Sequence, residues 1–329
     1  MKAYVIRTYG GPGNFELTDL PRPQIRPGHV LLQVKASSVN PLDYKIRRGD
    51  AASIGPALPA VLHGDVAGTV VEIGEGVEGF QLGDVVYGCA GGVKGIPGSL
   101  AEMMLADARL MAPVPKNLPP EEAAVLPLVS ITAWQALMDR VRLQPGQTVL
   151  VMGGTGGVGH IGVQLAKWKG ARVFATCGNT EKMKLARSLG ADEVILYKEE
   201  GVADYVKRLT GGEGFDVVFD TVGLWEEAIG AVRINGQIAT TLALGPGELS
   251  GAFMKNLSIH FILMLVPLLQ GLGREHQGYI LRQIGGLVEA EQLKPLVHSR
   301  RYLFSEISQA HREAESGSIA GKICLVASW

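Results

Sequence analysis

A run of apolar and β-branched residues, TVLVM (148–152), leads directly into GGTGGVGHIGVQLAK. No other stretch limits the possible folds of this chain as strongly. Gly154, Gly156 and Gly159 satisfy G-x-G-x-x-G and open an amphipathic helix predicted over 158–169. In that setting glycines allow a tight turn, backbone approach to a pyrophosphate, and close packing of helix on strand. The helix start adds free N–H groups and a partial positive charge that suit phosphates. In a chain with 44 glycines the bare pattern is weak. The strand before it and the helix after it make it strong.

The same rhythm continues downstream. Strands are predicted at 172–176, 193–196, 216–220 and 236–241, with helices at 180–189 and 202–209 between them. Such alternation builds a doubly wound parallel sheet with helices on both faces. Upstream the pattern differs: short alternating runs at 2–7, 30–36, 68–73 and 84–87 stand between Gly and Pro, which predicts a small β-rich, barrel-like domain. Pro113, Pro115, Pro119 and Pro120 form a stiff connector, and helical stretches broken at Pro127 follow from Glu121. After about residue 290 the pattern is irregular and ends in a strand at 322–327 that can return to the first domain. The 329 residues suit two domains of ordinary size. The expected division is 1–120 with 290–329, and 121–289 as the nucleotide-binding domain.

Composition narrows the function. A formal charge of −1 leaves no basic footprint for nucleic acid or an anionic membrane. The longest apolar stretch, 259–269, contains His260 and Pro267 and falls short of the ~20 residues a spanning helix needs. Cys89, Cys177 and Cys324 are odd in number and far apart, so they form neither a disulfide framework nor a metal knuckle. The N-terminus shows no signal-peptide pattern. A cytoplasmic protein is expected.

Dinucleotide sites that prefer NAD carry an acidic residue about 20 positions after the glycines, on the ribose 2′-OH. Here 175–180 reads ATCGNT, with no acid before Glu181, and Lys182 follows closely. A 2′-phosphate would meet no carboxylate and a nearby cation, so NADPH is the expected cofactor.

Several stretches resemble the medium-chain dehydrogenase/reductase superfamily, and within it the zinc-free quinone oxidoreductase (zeta-crystallin-like) group. They are ASSVNPLDYKIRRG (36–49), HGDVAGTVVEIG (63–74), GDVVYG (83–88), AAVLPLVSITAWQAL (123–137), FDVVFDTVG (215–223) and ESGSIAGKICLV (315–326). The resemblance covers essentially the whole chain and implies a GroES-like β-rich barrel domain beside a doubly wound Rossmann domain. It also implies that Asn40 and Thr132 lie near the nicotinamide and that Gly156, Gly157 and Val158 meet the pyrophosphate. Gly178, Asn179, Lys182 and Tyr197 are implied at the adenosine 2′-phosphate, Leu242 beside the nicotinamide, and Lys322 near the cofactor cleft.

Zinc enzymes of the superfamily hold metal through a Cys, a His-Glu pair and a later Cys or Asp. Here residues 38–43 contain no Cys, the His-Glu position reads Gly64-Asp65, and His63 falls one residue early. No catalytic metal is expected. Without a Lewis acid, hydride transfer suits acceptors that delocalise charge themselves, namely quinones and α,β-unsaturated carbonyls. Asn40, Asp43 and Tyr44 are the candidate catalytic residues. Tyr44 is read either as a donor to a developing oxyanion or as a packed aromatic, and Asp43 either as a catalytic group or as a brace in its turn. Two alternatives stand beside this reading: a medium-chain alcohol dehydrogenase, and an NADPH-binding protein without turnover. The long apolar segment 256–278 is read as a homodimer surface or as internal core, with Met254, Phe261 and Met264 as candidate lining.

Overall fold

The computed structural model describes residues 1–242 and 249–329. They form two compact units: Met1–Leu128 with Leu265–Trp329, and Val129–Met264.

In the second unit, strands Thr148–Met152, Arg172–Cys177, Glu193–Leu196, Phe215–Asp220, Val232–Thr240 and Ser258–Phe261 form one parallel sheet. Numbering them one to six along the chain, their spatial order is 3-2-1-4-5-6. This is the Rossmann order, and its reversal lies between Thr148–Met152 and Phe215–Asp220, where such folds bind dinucleotides. The predicted strands and helices appear with ends shifted by a few residues at most. Sheet and helices bury a core that includes Leu150, Phe174, Ile195, Phe215, Val218 and Ile238.

The glycine turn is closed by Thr176. Its hydroxyl accepts the Gly153 N–H at 3.0 Å and its carbonyl accepts the Gly154 N–H at 3.0 Å. The left-handed backbone belongs to Gly153 (φ +77°), one residue before the first glycine of the motif. Gly154 and Gly159 provide close approach instead. A Cβ on Gly154 would stand 2.6 Å from Ala175 Cβ, and one on Gly159 would stand 2.1 Å from Gly153 O. Helix-on-sheet contact also falls to Gly162, where a Cβ would meet the Phe219 ring at 2.9 Å.

In the first unit, the ten-residue strand His29–Ser38 organises a mostly antiparallel sheet. It pairs with Asp65–Ile73, Met103–Asp107 and Cys324–Val326. The C-terminal strand thus returns to the first unit, as its sequence suggested. Strand Lys2–Ile6 pairs separately with Phe15–Asp19.

The division of the chain differs from the expected one. Helix Pro120–Ala123 belongs with the first unit, where Cys324 Sγ donates to Glu121 O at 3.1 Å. Helix Arg274–Glu289 does too: Tyr87 Oη donates to Leu281 O at 2.6 Å, and Arg274 reaches Asp107 at 2.8 Å. Amphipathic periodicity shows that a helix covers something, without stating which sheet. That choice is made by partners far away in the chain.

Candidate functional site

The predicted site residues fall into two groups, one in each unit. Asn40, Asp43, Tyr44 and Lys322 lie in the first. Thr132, the glycine turn, Gly178, Asn179, Lys182, Tyr197 and Leu242 lie in the second.

Most of the second-unit group follows the C-terminal ends of strands in the parallel sheet. Val158 caps the ten-residue helix Gly159–Trp168. The backbone N–H groups of Gly157 and Val158 have no protein acceptor among the described residues. Asn179 caps helix Thr180–Ser188 by accepting the Lys182 N–H at 2.9 Å. Tyr197 lies against Gly178, where a Cβ would meet its hydroxyl at 3.1 Å. Gly178, Asn179, Lys182 and Tyr197 therefore gather at the end of strand Arg172–Cys177 with no carboxylate between Gly178 and Thr180. Leu242 packs over Gly223. The carboxylate of Asp220 accepts the N–H groups of Val222 (3.0 Å) and Gly223 (2.8 Å) and the Thr240 hydroxyl (3.1 Å), which fixes the loop beside Leu242. Thr132 is buried on helix Pro127–Trp134.

The first-unit group is a buried polar cluster at the start of helix Pro41–Arg48. Asp43 accepts the backbone N–H of Asn40 at 2.7 Å, so it braces the helix start as one of its two readings held. Burial pushes its carboxyl up to about 7, against the backbone N–H of Asn40 and the Lys322 charge, which lower it. Asn40 Nδ2 donates to Asp65 at 2.8 Å, and Lys322 Nζ donates to Asn40 Oδ1 at 2.5 Å. Burial lowers the Lys322 ammonium, opposed by Asp65 and Asp43. Tyr44 is half-buried, with the Arg48 guanidinium 5.2 Å from its ring centre. Its hydroxyl has no hydrogen-bond partner among the described residues, and burial raises its pKa.

Sequence reasoning missed three members of this cluster. Asp65, in strand Asp65–Ile73, accepts from Ser38 Oγ (2.6 Å) and the Leu128 N–H (2.9 Å) as well as from Asn40. Ser99 donates to the Asp65 carbonyl at 2.8 Å. His311 meets His63, Nε2 to Nε2, at 2.9 Å across a separation of 248 residues. HGDVAG marks Asp65 as a place to look, but nothing local announces His311.

Both imidazoles are neutral. Burial lowers His63 to about 3 and holds His311 well below its ordinary value, with the neighbouring His63 and Arg47 adding to the latter. His63 and His311 then take up protons on unfolding below about pH 6.5, while Asp43 releases one above about pH 4. The histidine contribution is present above that pH and lost as pH falls toward about 3. The Asp43 contribution has the opposite sign and is lost as pH rises toward about 7. Two histidines outweigh one aspartate, so between about pH 6.5 and 4.5 acidification lowers the stability that this cluster contributes. In His311→Gln the remaining pair cancels. Urea midpoints across that range should lose the cluster's acid slope in the variant, and an unchanged slope would contradict the assignment.

Comparison with known proteins places this arrangement. The alcohol dehydrogenase GroES-like domain matches residues 26–116, and the zinc-binding dehydrogenase family matches residues 157–265. The chain is 33% identical over 334 residues to the NADPH-dependent alkenal/one oxidoreductase, chloroplastic, of Arabidopsis thaliana, covering 99% of this chain and 79% of that protein. It belongs to the medium-chain dehydrogenase/reductase family. Among solved structures, an alcohol dehydrogenase superfamily protein from Novosphingobium aromaticivorans superposes with a TM-score of 0.94 at 40% identity, covering 100% of both chains. Escherichia coli quinone oxidoreductase complexed with NADPH superposes with a TM-score of 0.89 at 25% identity, covering 99% of this chain and 100% of that one. Within the family, this chain stands in the quinone oxidoreductase-like group, with a GroES-like first unit and a Rossmann second unit.

The zinc-binding name of the matching family calls for a set of metal ligands. Among the described residues, no group of three or more His, Cys, Asp or Glu is arranged to hold a metal ion. Both His63 ring nitrogens face partners, Ser37 Oγ at 3.4 Å and His311 at 2.9 Å. The Asp65 oxygens are taken by Ser38, Asn40 and Leu128. These residues do not fit a family zinc site.

Proposed function

We propose that this protein is an NADPH-dependent, zinc-independent reductase of quinones and other α,β-unsaturated carbonyls. The observation that carries this reading is the cradle at the sheet's switch point. Two backbone N–H groups, on Gly157 and Val158, are left without acceptors among the described residues, beside glycines that exclude any Cβ, and residues 178–180 offer no carboxylate. Backbone donors at a helix start suit a pyrophosphate. Gly178, Asn179, Lys182 and Tyr197 would hold the 2′-phosphate, and Thr132 and Leu242 would flank the nicotinamide. The names of the Arabidopsis and Escherichia coli relatives support both the cofactor and the acceptor class.

NADPH, when bound, supplies a hydride to an electron-poor carbon or oxygen. The protein's part is to position and to stabilise charge. Asn40 and Tyr44 serve as hydrogen-bond donors to the reacting groups, and the free Tyr44 hydroxyl is placed to stabilise an oxyanion. Asp43 acts on Asn40 by bracing its backbone. The alcohol dehydrogenase alternative is not favoured, because nothing in the first-unit cluster replaces the Lewis acid that alcohol oxidation uses. Three buried, unpaired cysteines suit a reducing, cytoplasmic setting, and no helix among the described residues is long and apolar enough to cross a membrane.

The test is NADPH and NADH oxidation with one ortho-quinone and one enone, each with a metal chelator present. Fast NADPH loss with chelator is expected. Activity restored only by added zinc, or NADPH binding with no turnover on either acceptor, would overturn the reading.

The segment around strand Ser258–Phe261 supports a homodimer. That strand is an edge of the parallel sheet, and Phe253, Met254, Phe261 and Leu263 are more than half exposed around it. Apolar groups beside an unpaired strand edge favour pairing with another copy. Met264 is buried and is removed from the candidate lining. Sedimentation at twice the 35.0 kDa chain mass is expected, falling to the monomer mass in Phe261→Lys; a monomeric wild-type chain would exclude it.

A further inference from the structure

The Asn40 carboxamide is gripped from both ends. Its Nδ2 donates to Asp65 Oδ2 at 2.8 Å and its Oδ1 accepts from the Lys322 ammonium at 2.5 Å. Each partner is itself held in place. Asp65 receives the Ser38 hydroxyl at 2.6 Å and the Leu128 N–H at 2.9 Å. Lys322 also donates to the Val39 carbonyl at 2.6 Å and stands 3.9 Å from Asp65. Asn40, Asp65 and Lys322 are all buried, at 1%, 0% and 3% exposure.

A carboxamide is nearly symmetric in shape, and a half-turn exchanges its oxygen and nitrogen. In this pocket the exchange would set an NH₂ group against an ammonium and a carbonyl against a carboxylate. Two charge-assisted bonds, roughly twice as strong as neutral ones, would become two repulsions with no water to absorb them. One orientation remains. It leaves the same Nδ2 proton, the one not given to Asp65, as the amide's available donor.

We propose that Asp65 and Lys322 are positioning residues that lock the Asn40 carboxamide in one flip state, so that a single defined N–H is offered to the acceptor in every turnover. The inference rests on the reading of Asn40 as a group that touches the reacting partners. The carboxylate and the ammonium act only through it.

Two measurements test the lock. The first needs neither cofactor nor turnover. In protein labelled with ¹⁵N-asparagine, the Asn40 amide is identified by its loss in Asn40→Ala. Two widely separated proton resonances are expected, one shifted downfield by the carboxylate, with the separation shrinking in the near-isosteric Asp65→Asn. Ordinary exposed-amide shifts in the wild type, or no change in Asp65→Asn, would overturn the lock.

The second is a double-mutant cycle on kcat. Asp65→Asn is expected to lower kcat about tenfold to a hundredfold, as a misplaced group does, while NADPH affinity measured by fluorescence changes less than about threefold. In the Asn40→Ala background the same substitution should have no further effect. Losses that add in full would show that Asp65 acts on stability alone and would overturn the proposal. Lys322→Met repeats both measurements if Asp65→Asn does not fold. A wild-type chain that turns over neither acceptor would defeat the functional reading, whereas the amide resonances would still report whether the flip is locked.

Discussion

Replacing Gly159 by alanine should abolish NADPH binding, raising its Kd at least about a hundredfold. Helix propensity alone argues the reverse, since alanine in place of glycine favours a helix by about 1 kcal/mol. The local geometry decides the sign. A Cβ at 159 would lie 2.1 Å from the Gly153 carbonyl oxygen and 2.8 Å from its carbon. Gly153 cannot retreat freely, because Thr176 holds its N–H at 3.0 Å and also the N–H of Gly154 at 3.0 Å. Relief of the clash moves the turn that presents Gly157 and Val158, and a hundredfold loss corresponds to about 2.7 kcal/mol, well within the cost of misplacing backbone donors to a pyrophosphate. Titration of NADPH fluorescence checks this, with thermal melting to show that the variant is folded. Unchanged affinity together with a raised Tm would mean that the turn yields at no cost and that Gly159 serves the helix only.

Gly178→Asp should reverse the cofactor preference. The change places a carboxylate where NAD-binding relatives of the fold hold the ribose hydroxyls. Gly178 is not in the left-handed region, so a side chain is compatible with its backbone. Its Cβ would approach only the Tyr197 side chain, tightly at the hydroxyl (3.1 Å) and at ordinary contact distance from two ring carbons, and that half-exposed side chain can move. Two unit charges 4 Å apart near a protein surface repel by about 4 kcal/mol. Solvent at this partly open position reduces that figure, and a loss of about a hundredfold in kcat/KM for NADPH is expected. NADH should gain through hydrogen bonds from its ribose to the new carboxylate. The measurement is the ratio of kcat/KM for the two cofactors. A ratio that stays put would mean that the 2′-phosphate is bound elsewhere. Lys182 then loses its assigned role as well.

The two variants probe the part of the molecule whose information is local. A strand, a glycine turn and a helix are written in some twenty consecutive residues, and each step follows from short-range sterics: Cβ-free positions where backbones touch, β-branched residues in the strand, an apolar stripe on the helix. The missing acid after the second strand is just as local, so the cofactor class could be read with it. The sheet's alternation is a repetition of the same unit, and five of its six strands were foreseeable to within a few residues; the sixth, Ser258–Phe261, lies in an apolar stretch that the sequence left as surface or core. One detail was not. The left-handed residue is Gly153 rather than a member of the G-x-G-x-x-G pattern, because in GGTGGVG the pattern alone does not say where the chain reverses.

The first-unit cluster was legible only in part. Asn40, Asp43 and Tyr44 stand together in NPLDY, and the helix start that Asp43 braces is a local motif. Their electrostatic surroundings are not local. Asp65 comes from a strand, His311 from a helix and Lys322 from the chain just before the C-terminal strand, across up to 282 residues of sequence, and no periodicity specifies such meetings. The same holds for helix 274–289, whose amphipathic face fits either unit by pattern alone, and for the single turn at 120–123, which is too short to carry a pattern. By itself, then, the sequence determined most of the elements, the glycine-rich turn and the cofactor's charge preference, since neighbouring residues decide these. The tertiary structure alone decided the domain boundary, the neutral His63–His311 pair and the orientation of Asn40. Burial and long-range pairing settle those, and both exist only once the chain has folded.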